Sequence, residues 1–141
     1  PVALHDCAST ALAHTQARAA QRGVALTLAG QGASGPWEAE LITLALCNLI
    51  DNAIDFSPAG STVAVELQGT AVAVQDSGPG VPDYALARLG ERFFTTARPN
   101  GERSGSGLGL AIVQRVVALH GGHMAVRNTA PGLRVTLHFP N

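Results

Sequence analysis

The sequence predicts a two-layer α/β sandwich, with three helices packed on one face of a mixed, largely antiparallel five-stranded sheet. Three observations lead there. Segments with helical apolar spacing alternate with short apolar runs of strand length. Most of those runs come in pairs joined by a Gly turn, which favours antiparallel neighbours. The 141 residues fit one domain with a real core, so residues 1–141 are expected to form a single unit.

The elements follow in order. Ala3 to Arg22 is alanine-rich and helix-prone, and Gly23 is a suitable stop. Val24 to Leu28 alternates like a strand, and Gly30 to Pro36 has the composition of a loop. From Glu38 to Phe56, apolar residues at Ile42, Leu46, Leu49, Ala53 and Phe56 trace one helix face, ended by Ser57-Pro58. Thr62 to Leu67 and Ala71 to Gln75 read as a hairpin turning near Gly69. A long irregular stretch runs from Asp76 to Ser106. The third helix spans Leu108 to Leu119 and ends at His120-Gly121-Gly122. Met124 to Asn128 and Leu133 to Phe139 supply the last two strands, around Pro131-Gly132.

Composition excludes several functions. A net charge of −1 argues against a general nucleic-acid binder or a domain that lies on a membrane surface. No apolar run approaches the ~20 residues that span a bilayer, and no signal-peptide pattern is present. Cys7 and Cys47 lie in apolar helical segments and read as small buried thiols, not a disulfide framework. All nine basic residues are arginine, so any basic contact to a ligand must come from Arg.

The irregular stretch draws attention next. Seven of the sixteen glycines and four of the nine arginines fall between Gly78 and Gly109, which suggests a mobile, basic lid over a ligand. Both ends of it are glycine motifs. At Asp76-Ser77-Gly78-Pro79-Gly80 a carboxylate closes a strand and could accept a hydrogen bond from an exocyclic amine such as that of adenine. An aspartate there is also a common Asx-turn former, and the residues alone leave both open. At Gly105-Ser106-Gly107-Leu108-Gly109-Leu110 a Gly-rich run enters a helix whose first N–H groups would face an anion. Close helix–strand packing explains the same glycines equally well. The run is neither a dinucleotide fingerprint nor a P-loop, since the glycine spacing differs and no Lys follows.

A third feature ties these together. Asparagine is a poor interior helix residue, yet Asn48 and Asn52 sit four apart in the second helix. They share a stripe with Leu41, Ala45 and Asp55 beside the apolar face. Amide oxygens suit a hard cation such as Mg²⁺, which takes its remaining ligands from water and substrate phosphates. The alternative is that both amides satisfy buried backbone groups. With an adenine acceptor and a phosphate loop in the same small domain, a Mg–nucleotide site is the better account.

Asn48-x-x-x-Asn52-Ala53, Asp76-x-Gly78-x-Gly80, Glu91-Arg92-Phe93-Phe94 and Gly105-x-Gly107-Leu108-Gly109-Leu110 resemble, in order and spacing, the N, G1, F and G2 boxes of sensor histidine kinases. The chain is thereby identified as similar to the catalytic, ATP-binding (HATPase_c) domain of the GHKL superfamily over nearly its whole length. Asn52 to Phe56, Pro82 to Leu86 and Arg98 to Gly101 look most like the CreC type. The resemblance implies the Bergerat sandwich with an ATP lid. It implies Mg²⁺ on Asn52, with Asn48 beside it at the phosphate end, and the adenine amine on Asp76 with Gly78 and Gly80 letting the backbone pass the base. Phe93 and Phe94 would anchor the lid, while Gly105, Gly107, Leu108 and Gly109 would shape its exit at the phosphates.

It further implies an enzyme that binds Mg–ATP and donates the γ-phosphoryl group to a histidine on a separate dimerisation domain, in two-component signal transduction with a response regulator. No catalytic residue is assigned on this chain. His5-Asp6 lacks the surroundings of an acceptor, and His14, His120, His123 and His138 form no metal-ligand set. The expectation is a monomeric cytoplasmic fragment of an inner-membrane kinase, unable to autophosphorylate without its acceptor domain. The alternatives are a stand-alone anti-sigma-factor serine kinase and a nucleotide-binding module without transfer activity.

Three departures from the family pattern matter. Asp55 stands where many relatives carry a basic residue facing the phosphates, and it would repel them unless Mg²⁺ intervenes or its side chain turns away. Compensation is therefore expected from Mg²⁺ and the lid residues Arg98 and Arg103. Leu44 stands where many relatives have an acidic residue, and Pro131-Gly132-Leu133 replaces a Gly-Gly-Thr.

Overall fold

Helix α1 (Leu4–Arg22) buries Leu4, Cys7, Ala8, Ala11, Thr15 and Ala19. Its small residues let a second helix lie close, and the hydroxyl of Thr15 donates to Ala11 O at 2.9 Å, so the polar member of the buried face is satisfied. Gly23, at φ 70°, ends the helix by donating its N–H to Ala19 O and Ala20 O. The computed structural model describes residues 1–80, 108–129 and 131–141.

Helix α2 (Ala39–Phe56) carries the centre of the core, with Ile42, Leu46, Ile50 and Ile54 fully buried. Burying each such side chain contributes on the order of 2 kcal/mol. Phe56, expected at the end of the apolar stripe, is only half-buried. Helix α3 (Leu108–Leu119) adds Val113, Val116 and Val117. At the chain's end the indole N–H of Trp37 donates to Pro140 O at 2.9 Å, which ties the start of α2 to the C-terminal segment.

The strands are β1 (Val2–Ala3), β2 (Ala25–Gly32), β3 (Ser34–Gly35), β4 (Thr62–Gly69), β5 (Ala71–Gln75), β6 (His123–Asn128) and β7 (Leu133–His138). Five of them form one sheet in the order β2-β4-β5-β7-β6. β2 pairs with β4 in parallel, and every other neighbour is antiparallel. The parallel pair follows from the α2 crossover, and the antiparallel pairs from the short turns. Alternate residues Val63, Val65, Leu67, Val72, Val74, Val135 and Leu137 are buried, and the three described helices supply the partners of this face. The two-layer sandwich expected from the sequence is therefore present.

One segment departs from expectation. Gly30 to Pro36 was expected to be a loop, but β2 continues to Gly32, and Ser34-Gly35 pairs with Val2-Ala3. Glycine sustains the strand here instead of breaking it. Gly30 has φ 88°, and a Cβ there would lie 2.0 Å from Leu67 O on the paired strand. Both cysteines are free, Cys7 buried and Cys47 half-buried. No helix among the described residues is long and apolar enough to cross a membrane.

Candidate functional site

The site is built where the C-terminal half of α2 meets the end of β5. Asn48 and Asn52 are both half-buried on the α2 stripe beside the core face. Asn48 Nδ2 is buried with no hydrogen-bond partner among the described residues. An amide left in that state costs about 1–3 kcal/mol unless something else engages it. For Asn48 this disfavours the reading in which its amide nitrogen merely satisfies buried backbone.

Asp76 closes β5 and is 7% exposed. Its Oδ1 accepts two backbone hydrogen bonds, from Gly78 N–H at 2.9 Å and Leu133 N–H at 3.1 Å. Its own N–H donates to Leu133 O at 3.0 Å. Both recorded bonds fall on one oxygen, which leaves Oδ2 as the acceptor for a ligand. Burial pushes the carboxyl above its usual range, and the hydrogen bonds from Gly78 and Leu133 oppose that shift. The bond to Gly78 is an Asx-turn, so the two readings of Asp76 are compatible: the turn holds one oxygen and presents the other.

The glycines of the turn have steric reasons to be there. A Cβ on Gly78 would sit 2.3 Å from Phe56 O, so the turn lies directly against the end of α2. Gly80 has φ 76°, and its Cβ would lie 2.5 Å from Asn128 Oδ1. The same closeness appears at a residue that the sequence marks only as part of a turn and of a departure from the family pattern. Gly132 has φ 106°, and a Cβ there would approach Asp76 O to 2.0 Å. Gly132 and Leu133 thus form the wall behind the carboxylate. Ser57 was missed as well: its buried Oγ accepts the Ser77 N–H at 3.2 Å. The cues, a Pro-Gly turn and a Ser-Pro helix end, point only to turns when taken locally.

Asp55 corrects an expectation. It does not face the ligand stripe as a bare negative charge. It is 3% exposed, and its Oδ1 accepts from Arg18 Nη2 and from Arg22 Nη1, the latter at 3.3 Å. Arg18 also donates to Asp51 O at 3.0 Å, and Arg22 to Asp55 O at 3.4 Å. Two arginines of α1 thus pair with Asp55, while Arg98 and Arg103, expected to compensate charge at the phosphates, lie outside the described residues. Those side chains, spaced four apart, reach across the α1–α2 seam to a buried carboxylate.

Of the remaining expected site residues, Leu108 and Gly109 open α3. Phe93, Phe94, Arg98, Arg103, Gly105 and Gly107 lie outside the described residues. His120 does more than serve its turn. Its Nε2 accepts the Glu38 N–H at 3.1 Å while Nδ1 donates to Val116 O at 2.8 Å, so a neutral ring joins the end of α3 to the start of α2. No group of three or more His, Cys, Asp or Glu side chains among the described residues could hold a metal ion. Neutral amides such as those of Asn48 and Asn52, together with a ligand's own oxygens, are donors that Mg²⁺ tolerates.

A carboxylate with one open oxygen, walled by glycines and backed by a helix carrying an unpartnered amide, gives this α/β sandwich a candidate ligand site. Comparison with known proteins supplies the family. The profile of the family described as "Histidine kinase-, DNA gyrase B-, and HSP90-like ATPase" matches residues 38–141. The chain belongs to that family. It is 47% identical over 120 residues to sensor protein QseC of Escherichia coli O157:H7, an alignment covering 84% of this chain and 26% of that protein. It is 43% identical over 111 residues to sensor protein CreC of Escherichia coli strain K12, covering 72% and 23%. Among solved structures, the mycobacterial sensor histidine kinase MprB superposes with a TM-score of 0.82 at 29% identity, covering 99% of this chain and 95% of that one. The fold is thus that of histidine kinase catalytic domains, as the resemblance implied. The chain spans about a quarter of the length of the curated relatives it matches.

Proposed function

We propose that this chain is the catalytic, ATP-binding domain of a two-component sensor histidine kinase. It binds Mg–ATP and presents the γ-phosphoryl group to a histidine on a separate helical dimerisation domain, from which a response regulator takes it. When bound, Mg–ATP supplies the phosphoryl group and the metal neutralises its charge. The protein's part is positioning and electrostatics. Asp76 Oδ2 accepts the adenine amine, Gly78 and Gly80 let the base lie against backbone, and Asn52 contributes an amide oxygen to the metal with Asn48 beside it. Phe93 and Phe94 anchor the lid, and Arg98 and Arg103 approach the phosphates from it. Gly105, Gly107, Leu108 and Gly109 form its return to α3.

The observation that carries the proposal is the buried Asp76, held by two backbone N–H groups on one oxygen with the other left for a ligand. The unpartnered Asn48 amide supports the phosphate end. The domain is placed in the cytoplasm, attached to sensor and dimerisation segments in the parent protein, and monomeric by itself. Without an acceptor histidine it transfers no phosphoryl group alone.

Titration calorimetry of ADP and a non-hydrolysable ATP analogue, with and without Mg²⁺, tests the binding step. Binding that requires Mg²⁺ and fails in Asn52→Ala is expected, and binding indifferent to both removes the role given to Asn52. Mixing with a cognate helical domain should then yield phosphohistidine. Phosphoserine on a protein partner would overturn the assignment in favour of a serine kinase.

A further inference from the structure

We infer that Ser57 is a positioning residue that sets the span between the two ends of the nucleotide site. The inference rests on the nucleotide-binding reading above and deepens it. Asn52 and Asp76 belong to different elements, and a ligand that touches both requires a fixed distance between them. Ser57 occupies the joint. Its N–H bonds back to Ala53 O at 3.1 Å and Ile54 O at 3.2 Å, so its hydroxyl is carried by the same last turn of α2 that follows Asn52. Ser57 is 5% exposed, and its hydroxyl accepts the N–H of Ser77, the residue directly after Asp76. Ser77 is fixed from its other side, since its own hydroxyl donates to Thr62 O at 2.8 Å. Phe56 O presses on Gly78 so closely that no Cβ fits between them.

A continuous path therefore runs from the Asn52 turn through Ser57 Oγ to the Asp76 turn, with β4 and β7 bracing its far side. A buried hydrogen bond of this kind contributes little to stability by itself. Its consequence is geometric: without it the turn bearing Asp76 can shift relative to α2, and only a ligand bridging both ends registers the shift.

Three ligands separate this role from a merely structural one: adenosine, which reaches only the base end; Mg–tripolyphosphate, which reaches only the phosphate end; and a Mg-bound non-hydrolysable ATP analogue, which reaches both. Affinities by NMR titration are expected to fall about tenfold for the ATP analogue in Ser57→Ala, a loss of about 1.4 kcal/mol. Adenosine and Mg–tripolyphosphate should change less than about threefold, and Ser57→Thr, which keeps the hydroxyl, should restore the analogue. Ser57→Cys keeps the volume with a weak acceptor, and gives the same pattern should the alanine variant fail to fold. Equal losses for adenosine and the analogue would overturn the inference, because Ser57 would then support only the Asp76 turn. An unchanged analogue affinity would overturn it too. A wild-type chain that binds neither adenosine nor the analogue overturns this inference and the functional reading together, whereas wild-type binding with the wrong pattern overturns the inference alone.

Discussion

Two carboxylates lie buried within a few residues of the candidate site, and the protein treats them in opposite ways. Asp55, at the end of α2, is 3% exposed and gripped by two guanidinium groups from α1. Asp76, at the end of β5, is 7% exposed, and among the described residues its carboxylate is held by two backbone N–H groups, both on Oδ1. Burying a carboxylate is costly in either place. At Asp55 the cost is met by opposite charge, and the result is a rigid seam between two helices. At Asp76 it is met incompletely, the carboxyl titrates above its usual range, and one oxygen remains for a partner. The fuller compensation at Asp55 fits a joint of the scaffold, and the partial compensation at Asp76 fits the ligand role proposed for it.

The strongest way to break this comparison is to strip the seam. Arg18→Ala with Arg22→Ala leaves Asp55 buried without either guanidinium. Removing the partners of a buried charge costs about 3–5 kcal/mol, and the lower end applies because both arginines are roughly a third exposed. Urea denaturation should show a loss near 3 kcal/mol. A loss below about 1 kcal/mol would mean that the seam does not depend on these pairs.

The same conservative change at each carboxylate sharpens the contrast. Asp76→Asn keeps the shape and both backbone hydrogen bonds on the oxygen, but points an amide donor toward the adenine amine. Adenine-nucleotide affinity should fall about thirtyfold, near 2 kcal/mol, since a buried donor is then left facing a donor. Thermal stability should hold or rise as a desolvated charge is removed. Asp55→Asn should do the reverse and lower stability by about 1 kcal/mol, because water covers the partly exposed arginines left behind. Its nucleotide affinity should stay within about twofold of wild type. A stability loss at Asp76 with unchanged binding would invert the roles assigned here.

The contrast also marks how far the sequence could be read. The amide stripe of Asn48 and Asn52 and the strand end at Asp76 follow from period and turn chemistry, which are local. The orientation of Asp55 is not local: it depends on Arg18 and Arg22, 37 and 33 residues earlier on another helix. Judged against its own helix, Asp55 shares the face of Asn52, and a repulsive role followed naturally. Leu133, whose N–H holds Asp76, lies 57 residues beyond it, and Gly132 is required there only because β7 runs beside β5. Gly30 misleads for the same reason, since its neighbour Leu67 arrives only through the parallel pairing of β2 and β4. In each case a contact between distant segments overrides what the local residues suggest.

The smallest expected effect is the pH dependence of Asp76. Its folded-state carboxyl holds a proton to higher pH than the unfolded one. Between the two values the native state binds more protons, so stability falls as pH rises through that window and is level above it. Asp51, also raised by burial, with Asp55 adding to the shift and Arg18 opposing it, slopes the same way. The difference between wild type and Asp76→Asn isolates the Asp76 part. Nucleotide affinity should move in the opposite direction over the same window, rising with pH as the acceptor ionises, because an ionised carboxylate makes the stronger hydrogen bond to an amine. Denaturation midpoints and calorimetric affinities recorded against pH should show opposed slopes in wild type, and in Asp76→Asn a reduced stability slope, the Asp51 part, with no affinity slope. An affinity slope that survives in Asp76→Asn would place the titrating group elsewhere in the site and remove the adenine contact from this carboxylate.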